Sequence, residues 1–335
     1  VIGHANMRHD SESGQDHRGK HKKYTKYIVF SVLILDNPIW VCYDHCIEIG
    51  LSNQLADPVI NYPKRYFMNI LVCAKQVPDT TQVRIDPATN TLVREGVPAI
   101  VNTFDAYALE SAARIKDADP DTKIVVVSMG PPNAEAALRE CLAVAADKAY
   151  LVSGRTFGGS DTLATSYIIY NAVKKIEELE GIRFDAIFCG KQAIDGDTAQ
   201  VGPELAEHLG YPQVTYVLEA EQKNGCLEVL KEDTDEKQVI EVQLPCVLTF
   251  TKPAYEPRYP KIKRRIRANH AEIVTLNEAS FTEMDMSRIG LKGSPTHVKR
   301  SFVPVQENKV LLVEGETAGD KAKILIDMLT KAGKL

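Results

Sequence analysis

The stretch CGKQAIDGDTAQVGPELAEHLG, residues Cys189–Gly210, follows the apolar run FDAIFCG and contains the features that decide the fold. The apolar run predicts a buried strand, and the spacing of Val201, Leu205 and Leu209 predicts a helix that ends near Gly210. The loop between them contains small residues, which leave backbone N–H groups accessible. Such a junction can bind a phosphate, because free N–H groups and the helix dipole both favour an anion. A strand–loop–helix junction without a ligand is an equal alternative at this point.

Asp195 and Asp197 lie in the same loop and complicate a phosphate site. Two carboxylates would repel a phosphate unless their side chains turn away from it. Their alternative roles are to cap the following helix or to accept hydrogen bonds from ribose hydroxyls.

Strands and helices alternate on the N-terminal side of this stretch. Apolar runs predict strands at 69–75, 123–129, 148–152 and 184–189, and helical periodicity predicts helices at 103–116, 133–146, 161–179 and 198–209. This alternation predicts an α/β fold with a doubly wound, mostly parallel sheet. Right-handed crossovers then place the carboxyl ends of the strands at one edge, where ligands bind.

The C-terminal side changes to strands without helices. Strands are predicted at 214–219, 226–231, 239–244 and 246–251, and they add an antiparallel region to the sheet. Residues 252–310 are polar and contain prolines, which predicts an irregular arm that lies on a partner chain. An amphipathic helix at 317–332 ends the chain and is also expected to dock on a partner.

Residues 1–67 differ from the rest of the chain in containing five of the eight histidines and a polar opening without periodicity. The apolar run at 27–41 is shorter than a membrane span and is interrupted by Asp36 and Pro38. We therefore predict a leader at 1–67 outside the functional fold, an α/β domain at 68–252, and an arm with a terminal helix at 253–335.

The composition excludes several classes of function. A net charge of −5 over 335 residues argues against a protein that binds nucleic acid or an anionic membrane. The seven cysteines are scattered, and only Cys42 and Cys46 are close together, so neither a disulfide framework nor a metal site is indicated. Scattered thiols predict a reducing cytoplasm.

From Met68 onward the sequence resembles the beta subunit of electron transfer flavoprotein. Four blocks match in order and spacing: NILVCAKQVPD from Asn69, VPAIVNTFDAYALESA from Val97, GKQAIDGDTAQVGPELAEHLGYPQ from Gly190, and KPAYEPRYP from Lys252. The resemblance covers about four fifths of the chain.

The resemblance implies a heterodimer with an alpha subunit that carries FAD. It also implies a nucleotide-hydrolase-like, Rossmann-like fold that binds AMP as a structural nucleotide or a second FAD. In the branch with two flavins, NADH is the electron donor. Electrons then pass to ferredoxin and, through the alpha-subunit FAD, to or from an acyl-CoA dehydrogenase. The resemblance assigns no catalytic side chain to this subunit, because the cofactor supplies the chemistry.

By position, the resemblance implies a nucleotide pocket lined by four segments. These segments comprise Ala74, Asn102, Thr103, Phe104, Asp105, Met129, Gly190, Lys191, Gln192, Ala193, Ile194, Asp195, Gly196, Asp197, Thr198, Ala199, Gln200 and Val201. Thr198, Gln200 and Val201 would contact phosphates. For the segment from Asn102 to Asp105, a helix cap is an equal alternative to contact with the adenosine.

Two features favour FAD over AMP in this pocket. Gly196 stands where the AMP-binding pattern has an acidic residue, which makes the loop roomier and less negative. Arg94 lies in a segment similar to the bifurcating branch, where an arginine near a flavin would tune its potential. For Arg94 a solvated charge on a hairpin is an equal alternative.

The segment EPRY resembles the loop by which this family docks on its dehydrogenase. The implied contacts are Tyr255, Glu256, Pro257, Arg258 and Tyr259. The family's anchoring leucine is replaced here by Ala254, which puts that contact in doubt and makes Tyr255 a substitute. The basic run KIKRRIR at 261–267 is expected to be solvated and to face a partner rather than nucleic acid.

Overall fold

The computed structural model describes residues 68–79, 98–223, 225–234, 236–297 and 312–334 with their side chains. It also describes the backbones of the strands at 6–8, 11–15, 21–29, 46–48, 84–86 and 91–93. The chain forms two compact units. The first contains Val1–Arg84 and Val93–Val298, and the second contains Ile85–Leu92 and Lys299–Leu335.

The first unit is built on a large mixed sheet. Its strands are β2 (Ser11–Gln15), β3 (His21–Val29), β5 (Asn69–Cys73), β10 (Lys123–Met129), β11 (Lys148–Val152), β12 (Ala186–Gly190), β13 (Gln213–Lys223), β14 (Cys226–Glu232), β15 (Lys237–Val242), β16 (Cys246–Phe250) and β17 (Val274–Leu276). The spatial order is β17-β11-β10-β5-β12-β16-β13-β14-β15-β3-β2. The seven strands from β17 to β13 pair in parallel, and β13, β14 and β15 form an antiparallel meander.

Short strand pairs lie outside this sheet. They are β1 (Asn6–Arg8) with β4 (Cys46–Glu48), β6 (Gln76–Pro78) with β9 (Ala99–Val101), and β7 (Arg84–Asp86) with β8 (Thr91–Val93).

Helices cover both faces of the parallel strands. They are α1 (Thr103–Ala118), α2 (Glu135–Val144), α3 (Thr162–Glu180), α4 (Val201–Leu209), α5 (Ile262–His270) and α6 (Gly290–Gly293). Alternate residues of each strand supply two apolar cores: Ile70 and Val72 pack with residues of α1 and α2, whereas Leu71 packs with residues of α3 and α4. The predicted fold class, a doubly wound α/β sheet with an antiparallel addition, is confirmed.

The prediction that residues 252–310 are irregular is wrong for part of this range. The basic run forms α5, in which Arg264 donates to the carbonyl oxygens of Leu142 and Ala146 at the end of α2. Farther along, β17 pairs in parallel with β11 at the edge of the sheet. A guanidinium that binds the free carbonyls of a helix end fixes α5 in place.

Strands from the N-terminal segment extend the antiparallel end of the sheet. β3 pairs in parallel with β15, and β2 pairs with β3. The exclusion of residues 1–67 from the functional fold stays a prediction.

In the second unit the predicted terminal helix is α7 (Ala318–Lys331), which begins with a capping box between Thr317 and Asp320. Its apolar side chains Ile324, Leu325 and Ile326 are exposed.

Candidate functional site

The candidate site lies where the direction of the chain across the sheet reverses. From β5 the chain moves outward through β10 to β11, and then returns to the other side of β5 to form β12 and β16. The crossovers above and below the sheet therefore diverge between β5 and β12. In open parallel sheets this divergence leaves a crevice at the carboxyl ends of the two strands, and ligands bind there.

Asp105 closes the base of this crevice. It lies in the first turn of α1, is 6% exposed, and its carboxylate accepts hydrogen bonds from the backbone N–H of Lys75 at 2.7 Å and of Gly190 at 3.0 Å. These two residues follow β5 and end β12, so one side chain ties both strand ends to α1. Burial raises the pKa of Asp105 to about 7, although the hydrogen bonds from Lys75, Asn102 and Gly190 act in the opposite direction.

This pKa predicts a pH-dependent stability. The folded pKa of about 7 lies above the ordinary value of 3.8, so the stabilising contribution of the protonated group is complete below about pH 4 and is lost as the pH rises through 7. Relative to the non-titrating variant Asp105→Asn, the free energy of unfolding of the natural chain should fall by about 2–3 kcal/mol between about pH 5 and pH 8. Urea unfolding of both proteins measures this difference, and a difference that stays constant with pH would contradict the prediction.

Asn102 holds the loop that follows β12. It is 1% exposed; its side-chain amide donates to the carbonyl oxygen of Gln192 at 2.8 Å, and its side-chain oxygen accepts from the N–H of Ile194 at 3.1 Å. Asn102 is the N-cap residue of α1, but its side chain makes no capping bond, so the alternative of a side-chain cap is wrong for this residue. Its amide bonds the backbone of the loop instead.

The two aspartates of the loop have partners inside the chain. Asp195 forms an ion pair with Lys75 at 2.8 Å, and Asp197 accepts from the side-chain amide of Gln192 at 2.7 Å. Neither caps α4, whose N-cap residue is Gln200 and has no side-chain capping bond. Of the two alternatives, capping of α4 is therefore wrong, and contact with ribose hydroxyls stays a prediction. The charge of Asp195 is compensated locally, which lowers the repulsion that an anion in the crevice would meet.

The loop reaches α4 through unusual backbone conformations. Asp197 and Ala199 have φ values of 51° and 54°, in the left-handed region that residues other than glycine rarely adopt. Gln200 then has the right-handed conformation, and α4 begins at Val201 rather than at the predicted Thr198. A left-handed residue followed by a right-handed one turns successive N–H groups toward the same side, which forms an anion-binding concavity. Ala199 and Gln200, which lie between Thr198 and Val201, have this order of conformations.

The remaining predicted pocket residues lie at the strand ends. Ala74 is buried after β5, Met129 ends β10, and Phe104 is half-buried beside an exposed Thr103. Gly190 has no room for a side chain, because a Cβ there would lie 2.3 Å from Asp105 Oδ1 and 2.7 Å from the backbone of Phe104. Ala193 and Gly196 complete the loop, in which Gly196 is exposed.

Two residues of this region were missed at the sequence level. Lys75 forms the ion pair with Asp195, and Tyr216, with a φ of 57°, brings its ring to 5.4 Å from Lys191 Nζ. The same Nζ lies 5.1 Å from the Phe104 ring. The available signal for Lys75 was its position at the end of a predicted strand, in a chain whose later loop contains two aspartates. No signal in the sequence pointed to Tyr216.

Some of the predicted docking residues contact α1, and others are exposed to solvent. Arg258 forms ion pairs with the buried Glu110 at 2.7 Å and with Asp117 at 2.7 Å, both on α1. The Tyr255 ring is half-buried, with the Arg114 guanidinium 4.1 Å from its centroid. Tyr259 is 92% exposed, and Glu256 is exposed beside the half-buried Pro257. The position of Arg94 lies outside the described residues.

Other kinds of site were sought within the described residues. That part of the chain contains no group of three or more His, Cys, Asp or Glu side chains arranged to hold a metal ion. None of its helices is long and apolar enough to cross a membrane.

Comparison with known proteins shows which family the sequence of this chain matches. Residues 89–280 match the family described as the electron transfer flavoprotein domain. The chain is 48% identical to an electron transfer flavoprotein subunit beta from Megasphaera elsdenii over 256 residues, covering 76% of this chain and 94% of the relative. It is 45% identical to the caffeyl-CoA reductase-Etf complex subunit CarD from Acetobacterium woodii, covering 78% and 98% of the two chains. It is also 44% identical to Protein FixA from Azotobacter vinelandii, covering 72% and 86%.

Proposed function

Because the chain belongs to the electron transfer flavoprotein family, among its beta subunits, we propose that it pairs with a flavin-carrying alpha subunit and binds an adenine nucleotide in the crevice between β5 and β12. The proposal depends chiefly on one observation. Asp197 and Ala199 hold left-handed backbone conformations directly before α4, and strained conformations of this kind persist where a binding site requires them.

The residues present suit a nucleotide. The N–H groups at the first turn of α4 have no partners within the helix, and they provide donors for phosphate oxygens. Lys75 compensates the charge of Asp195. Asp105 and Asn102 hold the start of the loop, through the backbones of Gly190, Gln192 and Ile194. In this proposal Asn102 and Asp105 are positioning residues, since their polar atoms bind the backbone of the chain itself.

We further propose that the nucleotide is FAD. Gly196 is exposed and has no atom within 4 Å of the position a Cβ would occupy, which leaves space and removes a negative charge near a diphosphate. A flavin bound there would accept a hydride from NADH and release electrons toward ferredoxin and the alpha-subunit FAD. The chain itself would bind and orient that group and exclude water from it.

Extraction of nucleotides from the purified heterodimer tests this assignment. Two FAD per heterodimer are expected. One FAD with one AMP would overturn the FAD assignment and support the second candidate, a subunit whose AMP is structural and whose partner carries all the redox chemistry. A heterodimer without any nucleotide beyond the alpha-subunit FAD would overturn the nucleotide site itself.

Gly196 provides a direct test of the electrostatic argument. The substitution Gly196→Asp should weaken FAD binding about fivefold at low salt, because a unit charge several ångströms from a diphosphate costs on the order of 1 kcal/mol. Gly196→Asn has nearly the same volume without the charge and serves as the matched control. Equilibrium titration of the FAD-free heterodimer measures both dissociation constants. Equal weakening in the two variants would show that charge is not the cause.

We infer the docking partner from the exposed residues in and next to the segment at 255–259. Tyr259 and, on α5, Ile262 and Ile266 are exposed apolar side chains, while Lys261 and Lys263 add positive charge. Arg264 and Arg265 of the same run instead bind α2, Arg265 through Glu140. An apolar group with a basic border fits an acidic protein surface. We propose an acyl-CoA dehydrogenase as that partner, and the name of the Acetobacterium relative, which contains caffeyl-CoA reductase, is in keeping with this class.

The exposed apolar side chains of α7 are proposed to contact the alpha subunit. The heterodimer is proposed to act in the cytoplasm.

A further inference from the structure

Two cysteines lie opposite each other at the candidate crevice. Cys73 ends β5, Cys189 is the penultimate residue of β12, and the two are direct partners in the register of these parallel strands. Residues paired in this way on neighbouring strands project from the same face of the sheet. Both belong to the apolar cluster under α3 and α4, and both are free thiols. The fold therefore brings together two thiols that are more than a hundred residues apart in the chain.

The register places the two side chains next to each other on this face of the sheet. A hydrogen bond to the Cys73 side chain and burial raise the pKa of the Cys189 thiol. Cys189 is 4% exposed, whereas Cys73 is partly exposed. The pair therefore combines one cysteine that is partly exposed with a buried cysteine beside it.

A matched comparison lies on the next strand. Cys246 of β16 is fully buried and faces Ala186 of β12 in the register, so its strand neighbour carries no thiol. Within the described residues, the pair at β5 and β12 also lacks the third and fourth ligands that a tetrahedral zinc site requires. Two adjacent thiols without further ligands suit a thiophilic centre that needs two sulfur atoms.

We propose that Cys73 and Cys189 form a bidentate binding site for trivalent organic arsenicals of the type R–As(OH)2. Two As–S bonds form and two As–O bonds break; the two thiol protons leave with the oxygens as two water molecules, and arsenic remains trivalent. Because both cysteines project toward α3 and α4, the bound arsenical lies on that face of the sheet, at the carboxyl ends of β5 and β12. The second sulfur acts at high effective concentration, so the pair should bind at least 100-fold more tightly than a single thiol.

Phenylarsine oxide tests the site in the heterodimer that carries Cys42→Ser and Cys46→Ser, since this other close pair would compete for the reagent. Intact mass of the subunit should show one bound phenylarsenic, which ethanedithiol removes and an equal concentration of mercaptoethanol does not. Adding Cys73→Ser or Cys189→Ser should weaken binding at least 100-fold, whereas Cys246→Ser should leave it unchanged. Unchanged binding in either of the first two variants, or equal loss in the third, would overturn the proposal.

A second measurement does not depend on the folding of these variants. Proteolysis of the labelled protein with its natural residues at 73 and 189 should yield one species in which arsenic joins the peptide that contains Cys73 to the peptide that contains Cys189. A bridge between any other pair of cysteines, or arsenic on single peptides alone, would overturn the site. Neither measurement depends on which nucleotide occupies the crevice.

Discussion

Replacing Asp105 by alanine should lower the free energy of unfolding by about 3–6 kcal/mol and abolish nucleotide binding. The substitution leaves the N–H groups of Lys75 and Gly190 without their acceptor, and each buried, unsatisfied donor costs about 1–3 kcal/mol. Loss of the buried side chain adds to this cost. Urea unfolding near neutral pH measures the stability, and titration of the nucleotide-free heterodimer measures binding.

Two further variants show whether the loss of stability comes from the lost hydrogen bonds of Asp105 or from the removal of any aspartate. Asp121→Ala removes an exposed carboxylate that follows the same helix, and it should change stability by less than about 0.5 kcal/mol. Asp105→Asn keeps one acceptor oxygen and should have an intermediate stability. If Asp105→Ala unfolds at the same urea concentration as Asp121→Ala, the carboxylate does not hold the strand ends as described.

Replacing Gly190 by alanine should cost about 3–5 kcal/mol in the free energy of unfolding and weaken nucleotide binding at least 100-fold. The added Cβ would lie 2.3 Å from Asp105 Oδ1 and 2.7 Å from the backbone carbonyl carbon of Phe104. Overpacking of a core costs about 1–3 kcal/mol, and the displaced Asp105 also loses hydrogen bonds. The same two measurements as for Asp105→Ala report both effects.

Gly196→Ala is the matched control for Gly190→Ala. Both glycines lie in the same loop region, but no atom lies within 4 Å of a Cβ at Gly196. Gly196→Ala should therefore leave stability within about 0.5 kcal/mol of the natural chain. Equal destabilisation by the two substitutions would mean that the loop backbone, and not the contact with α1, requires glycine.

The sequence was sufficient to predict the sheet and its helices because their patterns are periodic. β10 and β11 have the predicted bounds, and each helix from α1 to α4 lies within a few residues of its prediction. The helix α5 was missed because its run of lysines and arginines has only two apolar residues on an exposed face. β17 was missed because its three residues are too short for a pattern.

The candidate site could be predicted as a set of segments but not as a set of contacts. The family resemblance named Ala74, Asn102 and Gly190, and these positions coincide with the strand ends and helix starts that local patterns predict. The partners of the polar side chains depend on the register between strands. The ion pair between Lys75 and Asp195 spans 120 residues, and the bond from Gly190 to Asp105 spans 85, so no local pattern contains them.

These sequence separations also determine when the crevice can form as the chain folds. Contacts between distant residues require long loops to close, and such contacts form late. The bond from the N–H of Asn69 to Asp185, which spans 116 residues, joins the first parallel strand to the residue before β12. A nascent chain that has emerged only as far as α3 contains β5, β10 and β11 but not the far wall of the crevice. If the proposed nucleotide site is correct, a nucleotide can be bound only after the segment through α4 has been synthesised.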